Sequence, residues 1–397
     1  MSQSNRAQAF INSRREYIQE KAPMYYTTTP GDIHHRERVV NMSSAMFKFF
    51  DFAQTTLSAN AMVDRVIENQ VSAEFDVSHL YAPKNKALRP DILRVEKAWD
   101  EQITPQANRI YCSYHLGSYR LIVGYLLSKG VDVALLVTDD VMQQQIERIY
   151  DFHQEICTKE PFGKLTFFNA ESFNGISDAV DFYQAGGSLL IYIDGNSGIG
   201  GMGRNDNRLL TVDFLNRQIK ARKGVAFLSR VLMADIFPVF VRNNDDGTRS
   251  LITSTPIKPN RAIAKSEYIE QTTKHLFDIL AREINREPES WEGWLYIHKV
   301  TCTPQHPEHQ QLQAPTQQDI DPFALYFNDN AFALLQYPGA TVLLNIRQFK
   351  FHVLSATAVR AIRFVREKQN VLHVVKQNLV EELIRSRIIL QGASNEQ

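Results

Sequence analysis

The sequence predicts an α/β protein. It should hold a central mixed sheet flanked by helices, a helical N-terminal part, and a small winged-helix-like domain at the C-terminus. Three observations point there. From about residue 108, short apolar runs alternate with amphipathic stretches, a strand–helix rhythm. Ahead of it, residues 1–75 carry apolar side chains at helical spacing around Ala45, Phe47, Phe50 and Ala53. Beyond it, residues 303–319 (TPQHPEHQQLQAPTQQD) are rich in Pro, Gln and His and nearly devoid of large apolar residues, as a linker is. The expected organisation is a helical part over 1–75 packing on an α/β domain over 76–302, a linker over 303–320, and a last domain over 321–397.

Taken in order, Arg109 to Ser113 reads as a strand, followed by a helical stretch through Leu127. Val131 to Val137 is a second strand and Val141 to Phe152 a helix. Leu165 to Phe168 and Ser188 to Ile193 are buried strands around a helix from Ile176 to Gln184. Val225 to Met233 is helix-like. Ile236 to Val241 and Ser250 to Thr255 flank Asp245-Asp246-Gly247, a hairpin-turn signal. In the tail, Phe332 to Gln336 and Thr341 to Ile346 are strands around Tyr337-Pro338-Gly339. Ser355 caps a helix carrying Ala358, Ile362 and Val365, and Asn378 caps a last helix with Leu379, Leu383 and Ile384.

Composition excludes several functions. In 397 residues, 44 Lys+Arg balance 44 Asp+Glu, so no general positive field exists to hold nucleic acid. An apolar share of 44% is enough for a real core. Cys112, Cys157 and Cys302 are too few and scattered for a disulfide framework or a metal site, so no metal is expected and reduced thiols suit a cytoplasmic protein. The N-terminus lacks the apolar core of a signal peptide. The nearest approach to a membrane span, Val225 to Val241, is broken by Ser229, Arg230, Asp235 and Pro238. The expectation is a protein without a transmembrane segment, peripheral to a membrane at most.

Three constellations carry chemistry. Tyr114-His115-Leu116-Gly117-Ser118-Tyr119-Arg120 follows a strand and opens a helix, so His115 projects from the carboxyl end of the sheet, where α/β folds bind ligands. A neutral imidazole there can serve as a general base, and a structural histidine is the equally weighted alternative. Gly117 allows close approach of a substrate or of a neighbouring backbone. Secondly, seven of the chain's 18 glycines fall between Gly186 and Gly203. The loop Asp194-Gly195-Asn196-Ser197-Gly198 ends a buried strand, and its spacing fits neither a P-loop nor a dinucleotide fingerprint. Thirdly, residues 204–230 hold seven Lys/Arg, among them Arg217, Arg222 and Lys223, against Asp206 and Asp213. That patch suits a phosphate or an acidic carrier protein, or is a solvated face balanced by the nine acidic residues within 139–181.

In this order the blocks resemble the lysophospholipid acyltransferase superfamily, and most closely its bacterial lipid A secondary (lauroyl/myristoyl) acyltransferase branch. His115 to Arg120 stands where that family has His-x4-Asp/Glu. Ile191-Tyr-Ile-Asp194-Gly-Asn-Ser-Gly198 is similar to its strand ending in an Asp- and Gly-bearing loop. Val212-Asp-Phe-Leu-Asn-Arg217 through Gly224, Pro238-Val-Phe-Val-Arg242 and Pro288-Glu-Ser-Trp291-Glu-Gly-Trp294 resemble three later blocks. The resemblance covers about 105–300. It implies a glycerolipid acyltransferase-like sheet and an acyl thioester donor on acyl carrier protein or coenzyme A, with no further cofactor. His115 would be the general base and Asp194 its partner. Gly117, Ser118, Arg120, Gly195, Asn196, Ser197, Gly198, Arg217, Arg222 and Lys223 would hold donor or substrate.

One departure matters. Arg120 replaces the family's carboxylate, and a cation there should depress the histidine's pKa. Another carboxylate, Asp194 or Glu171, could hold His115; an amine acceptor could need less of a base; or catalysis could be lost, leaving an acyl- or peptide-binding protein. The tail resembles the PqqD-type peptide-binding domain through Val342-Leu-Leu-Asn345, Leu354-Ser355 with Ala358 and Ile362, and Leu383 to Ile389. That resemblance implies a peptide acceptor bound by strand addition. A winged helix also serves DNA, but nine Lys/Arg against six Asp/Glu in 321–397 give DNA little support, and a structural cap is an equal alternative.

Overall fold

Apolar runs followed by amphipathic segments must line up as strands with their helices folded back over both faces. The computed structural model describes residues 3–24, 43, 45–47, 50, 59–138, 142, 162–195, 209–302, 320–328, 331–337, 340–345 and 350–392. Its strands run β1 Leu93–Val95, β2 Ile110–Ser113, β3 Val133–Val137, β4 Leu165–Asn169, β5 Ser188–Tyr192, β6 Leu209–Phe214, β7 Arg217–Arg222, β8 Ile236–Asn243 and β9 Arg249–Thr253. Seven of these form one sheet in the order β1-β9-β8-β2-β5-β3-β4. Neighbours from β8 to β4 are parallel, β9 is antiparallel to β8, and β1 is parallel to β9. The expected mixed sheet is therefore present.

Helices cover it on both sides: α1 Gln3–Lys21, α2 Ala59–Leu80, α3 Leu121–Ser128, α4 Phe173–Gln184, α5 Gly224–Leu232 and α6 Lys265–Arg286. Strand alternation splits the core accordingly. Ile110, Cys112 and Leu189 pack with Val225, Leu228, Leu276, Leu280, Trp291 and Trp294 on one face. Tyr111 and Leu190 pack with Phe10, Ile11, Phe75, Leu121 and Leu126 on the other. The long α2 serves both, with Met62, Val66 and Ile67 on the first face and Phe75 and Leu80 on the second.

Several expectations shift in detail. α2 continues beyond residue 75 to Leu80, so the boundary expected at 75/76 falls inside a helix. α4 begins at Phe173, because the Ser172 hydroxyl accepts the Gly175 N–H at 2.9 Å. The helix expected over Val141 to Phe152 and the linker over 303–319 lie outside the described residues, apart from helical Met142. The basic block at 209–222 is a β-hairpin, joined by β10 (Thr301–Cys302) into a sheet of order β10-β7-β6. Its apolar alternation (Val212, Phe214, Ile219, Ala221) is short and interleaved with charges, which hid it from a periodicity search.

In the tail, β11 (Leu325–Phe327) pairs with β15 (Ile389–Gln391), while β12 (Phe332–Tyr337), β13 (Ala340–Asn345) and β14 (Lys350–Val353) form an antiparallel sheet. Helix α7 (Ala356–Arg366) follows, with the Ser355 hydroxyl accepting the Ala358 N–H. Helix α8 (Gln377–Arg385) starts two residues earlier than expected. Lys376 is its N-cap without a side-chain hydrogen bond, and Asn378 sits inside the first turn. Leu343 and Ile362 belong to the tail's own core, whereas Leu344, on the opposite face of β13, joins the core of the α/β domain. No helix of the described residues is long and apolar enough to cross a membrane.

Candidate active site

Parallel pairing of β2 with β5 sets Ser113 opposite Tyr192. Two residues further along each strand stand His115 and Asp194, which therefore meet at the carboxyl rim of the sheet. The Asp194 Oδ1 lies 2.9 Å from His115 Nδ1. Both carboxylate oxygens also accept the His115 backbone N–H, at 3.1 and 3.0 Å. Trp291 Nε1 donates to Oδ2 at 2.8 Å. A carboxylate only accepts, so Nδ1 carries the imidazole proton and Nε2 is left with its lone pair outward. The Asp194 side chain is 2% exposed and His115 is 19% exposed, so the acid is sealed beneath a base that solvent can reach.

The loop bearing His115 is held like a strand. Gly117 N–H donates to Ser290 O at 2.8 Å, Glu292 N–H donates to His115 O at 3.0 Å, and Leu116 bridges Trp291. The segment from Pro288 to Trp294 is thus the seat of the loop, and it also delivers the indole to Asp194. Gly117 has φ +56, and a Cβ there would stand 2.4 Å from the Val241 carbonyl oxygen. The neighbour that needs the glycine is the backbone of β8.

Three tyrosines surround the imidazole. Ring centroids of Tyr119, Tyr192 and Tyr296 lie 4.7, 5.2 and 6.2 Å from that of His115. Burial pulls the His115 pKa down most strongly, and Arg120 pulls the same way. The Asp194 charge and hydrogen bond, with the Glu292 charge, outweigh both and hold it above the ordinary histidine value. The expected depression by Arg120 is therefore corrected: its influence has the expected sign, but two carboxylates exceed it. Cys112, beneath the site on β2, is fully buried with its thiol pushed well up by burial and by Asp194, so it is no nucleophile.

The remaining expected residues fall in several places. Gly195 lies against the imidazole, where an added Cβ would meet His115 Cε1 at 3.5 Å. Asn196, Ser197 and Gly198 lie outside the described residues. Ser118 is turned away from the site: its hydroxyl donates to Asp76 at 2.7 Å and accepts from Arg249 at 3.0 Å. Arg120 is exposed at the start of α3, its Nε donating to the Tyr119 hydroxyl at 3.2 Å. Arg217 has the parity of buried Ile219 and Ala221 on β7, and Arg222 has the opposite one. Their backbones are roughly 16 Å apart along the strand, so one small phosphate cannot engage both. Lys223 follows Arg222 at the start of α5. Glu171, the other carboxylate considered for His115, acts instead on Arg222, whose pKa burial lowers and the Glu171 charge partly restores. Among the described residues, no group of three or more His, Cys, Asp or Glu is placed to hold a metal.

Sequence reasoning missed Trp291, Glu292 and the three tyrosines as site residues. The Pro288 to Trp294 block was legible as a pattern, but nothing along the chain places it beside His115, more than 170 residues earlier.

A model of the bacterial lipid A biosynthesis acyltransferase family matches residues 202–300. That span is about a quarter of the chain and takes in the β6–β7 hairpin, α5, β8, β9, α6 and Trp291. The crystal structure of the 1-acyl-sn-glycerophosphate acyltransferase of Thermotoga maritima is similar over 69% of this chain and 97% of that one, at 12% identity and a TM-score of 0.29. No curated protein matches the chain. The family match supports an acyltransferase.

Proposed function

We propose that this protein moves a fatty acyl group from a thioester, on acyl carrier protein or coenzyme A, to a hydroxyl or amine of a soluble acceptor. The arrangement of His115, Asp194 and Trp291 carries the reading. A base with its Nδ1 proton fixed on a buried carboxylate presents Nε2 to the acceptor. The acceptor X–H gives its proton to Nε2 as X attacks the thioester carbonyl carbon. The tetrahedral oxyanion then collapses, the C–S bond breaks, and the thiolate leaves with the proton from His115. Asp194 stabilises the imidazolium between the two transfers. The amides of the loop from Gly195 to Gly198 would face the oxyanion.

Arg222 and Lys223 would hold the donor's phosphate, and Arg217, on the opposite face of β7 from Arg222, would meet the carrier. Arg120, exposed beside the base, would meet an anionic group of the donor or acceptor. The tail, 321–397, would take a peptide or specialised metabolite by strand addition at an edge of the β12–β14 sheet. No nucleic acid takes part, and the setting would be the cytoplasm, with a peripheral membrane contact as the limit.

Radiolabelled acyl-carrier and acyl-coenzyme A donors incubated with a panel of amines, alcohols and peptides test the reading. Transfer abolished by His115→Ala supports it. Tight donor binding without transfer, unchanged by His115→Ala, overturns it in favour of a catalytically silent acyl- or peptide-binding protein. The 2.9 Å contact of Asp194 with His115 speaks against that silent alternative, whose premise is a histidine without a carboxylate.

A further inference from the structure

Tyr296 follows the segment that seats the His115 loop. Its ring stands edge-on to the imidazole, with centroids 6.2 Å apart and planes at 85°. The residue is only 7% exposed, and its hydroxyl is buried with no hydrogen-bond partner among the described residues. The other two tyrosines of the cage are accounted for, since the Tyr119 hydroxyl accepts from Arg120 and the Tyr192 hydroxyl donates to Tyr119 O. A phenol enclosed in protein without a partner carries a desolvation penalty that packing alone does not repay. Such a group calls for an explanation, and a catalytic role is one that a site beside the base supplies.

Chemistry narrows what completes it. Burial most of all, then the charges of Asp194 and Glu292, push the Tyr296 pKa well above the ordinary phenol value. The hydroxyl is thus a neutral donor across the working pH range and no rival to His115 as base. A neutral donor on a ring packed beside the base, in a dry setting, suits a group that develops negative charge during acyl transfer.

We propose that Tyr296 is a catalytic residue that donates its hydroxyl proton in a hydrogen bond to the thioester carbonyl oxygen. The inference rests on the acyl-transfer reading above. As X attacks the carbonyl carbon, the C=O π pair moves onto oxygen, and the Tyr296 O–H···O contact strengthens without proton transfer. When the C–S bond breaks, the pair returns to the carbonyl, and the thiolate takes its proton from His115. The phenol ends each cycle unchanged. It grips the reacting carbonyl, leaving acyl chain and acceptor to other surfaces.

The test compares the full-length protein with Tyr296→Phe, using a medium-chain acyl-coenzyme A thioester as probe and following thiol release. The expected result is a kcat lower by about 10²- to 10³-fold, with KM within about threefold. The acid limb of the pH profile should be unmoved, since a neutral phenol leaves the His115 charge balance alone. Thermal unfolding separates this role from a structural one, because removing a buried hydroxyl without a partner leaves Tm unchanged or raised. A kcat within about twofold of the parent overturns the proposal while leaving acyl transfer standing. A lower rate accompanied by a lower Tm and a shifted KM also overturns it, by showing that the hydroxyl supports the fold. A parent protein that cleaves no thioester from any donor overturns both readings.

Discussion

Trp291 Nε1 donates to Asp194 Oδ2 at 2.8 Å, the oxygen opposite the one that holds the His115 imidazole. The indole therefore fixes the rotation of the carboxylate, and the carboxylate fixes the imidazole. Trp291 is 1% exposed and packed against Phe214 and Trp294, so this donor cannot drift. Trp291→Phe keeps the aromatic packing and removes the donor. It should lower stability by about 1–3 kcal/mol through the weakened carboxylate and lower kcat with little change in KM. Urea denaturation and steady-state kinetics on the same preparation check both.

Asp194→Asn should reduce kcat by roughly 10²- to 10⁴-fold, because an amide can present either a donor or an acceptor to Nδ1 and no longer fixes the tautomer. Both contributions of Asp194 raise the His115 pKa, so that value must fall in the variant. An NMR titration of the His115 ring protons reads this shift directly.

Arg120 shifts where the base titrates. His115 acts as a base only when neutral, so activity should rise with pH through its raised pKa, on a limb above the ordinary histidine value of 6.5. Arg120 lowers that pKa. Removing its charge in Arg120→Gln raises the pKa further and moves the acid limb to higher pH. At neutral pH the variant then has less neutral base and is slower, while at pH about 9 it approaches the parent. Arg120→Glu should move the limb further in the same direction. A profile of kcat/KM against pH for the three proteins decides it.

Gly117→Ala places a Cβ 2.4 Å from a backbone carbonyl that cannot rotate away, at a φ of +56. The expected cost is about 1–3 kcal/mol, with His115 displaced from Asp194 because the two residues share one loop. A lower Tm together with a lower kcat is the predicted pair of changes.

Behind the loop, Asp76 bridges Arg14 of α1 and Arg249 of β9, and it accepts the Ser118 hydroxyl. Arg14, Asp76 and Arg249 are 3%, 0% and 6% exposed, so none can fall back on water. Asp76→Ala leaves two guanidinium groups buried with their shared partner gone and should cost about 3–5 kcal/mol. Ser118→Ala removes one hydroxyl from the same cluster and should cost about 1 kcal/mol. Equilibrium denaturation of the two variants should rank them in that order.

Local pattern settled a good deal here. Apolar runs with strand length placed β2, β3, β4, β5 and β8 within a residue or two, because strands buried on both faces read as near-continuous apolar runs. Chain order then put His115 and Asp194 after two of those strands. Only tertiary structure decided that β2 and β5 are neighbours in parallel register, and that decision makes the two residues partners. It also decided that Ser118 serves Asp76, that Arg217 and Arg222 part company, and that Trp291 and Tyr296 arrive at the site from a segment near residue 290. Periodicity records which face of an element is buried. It carries no record of what lies across the interface, because hydrogen bonds, charges and ring contacts between distant segments exist only once the sheet has chosen its strand order.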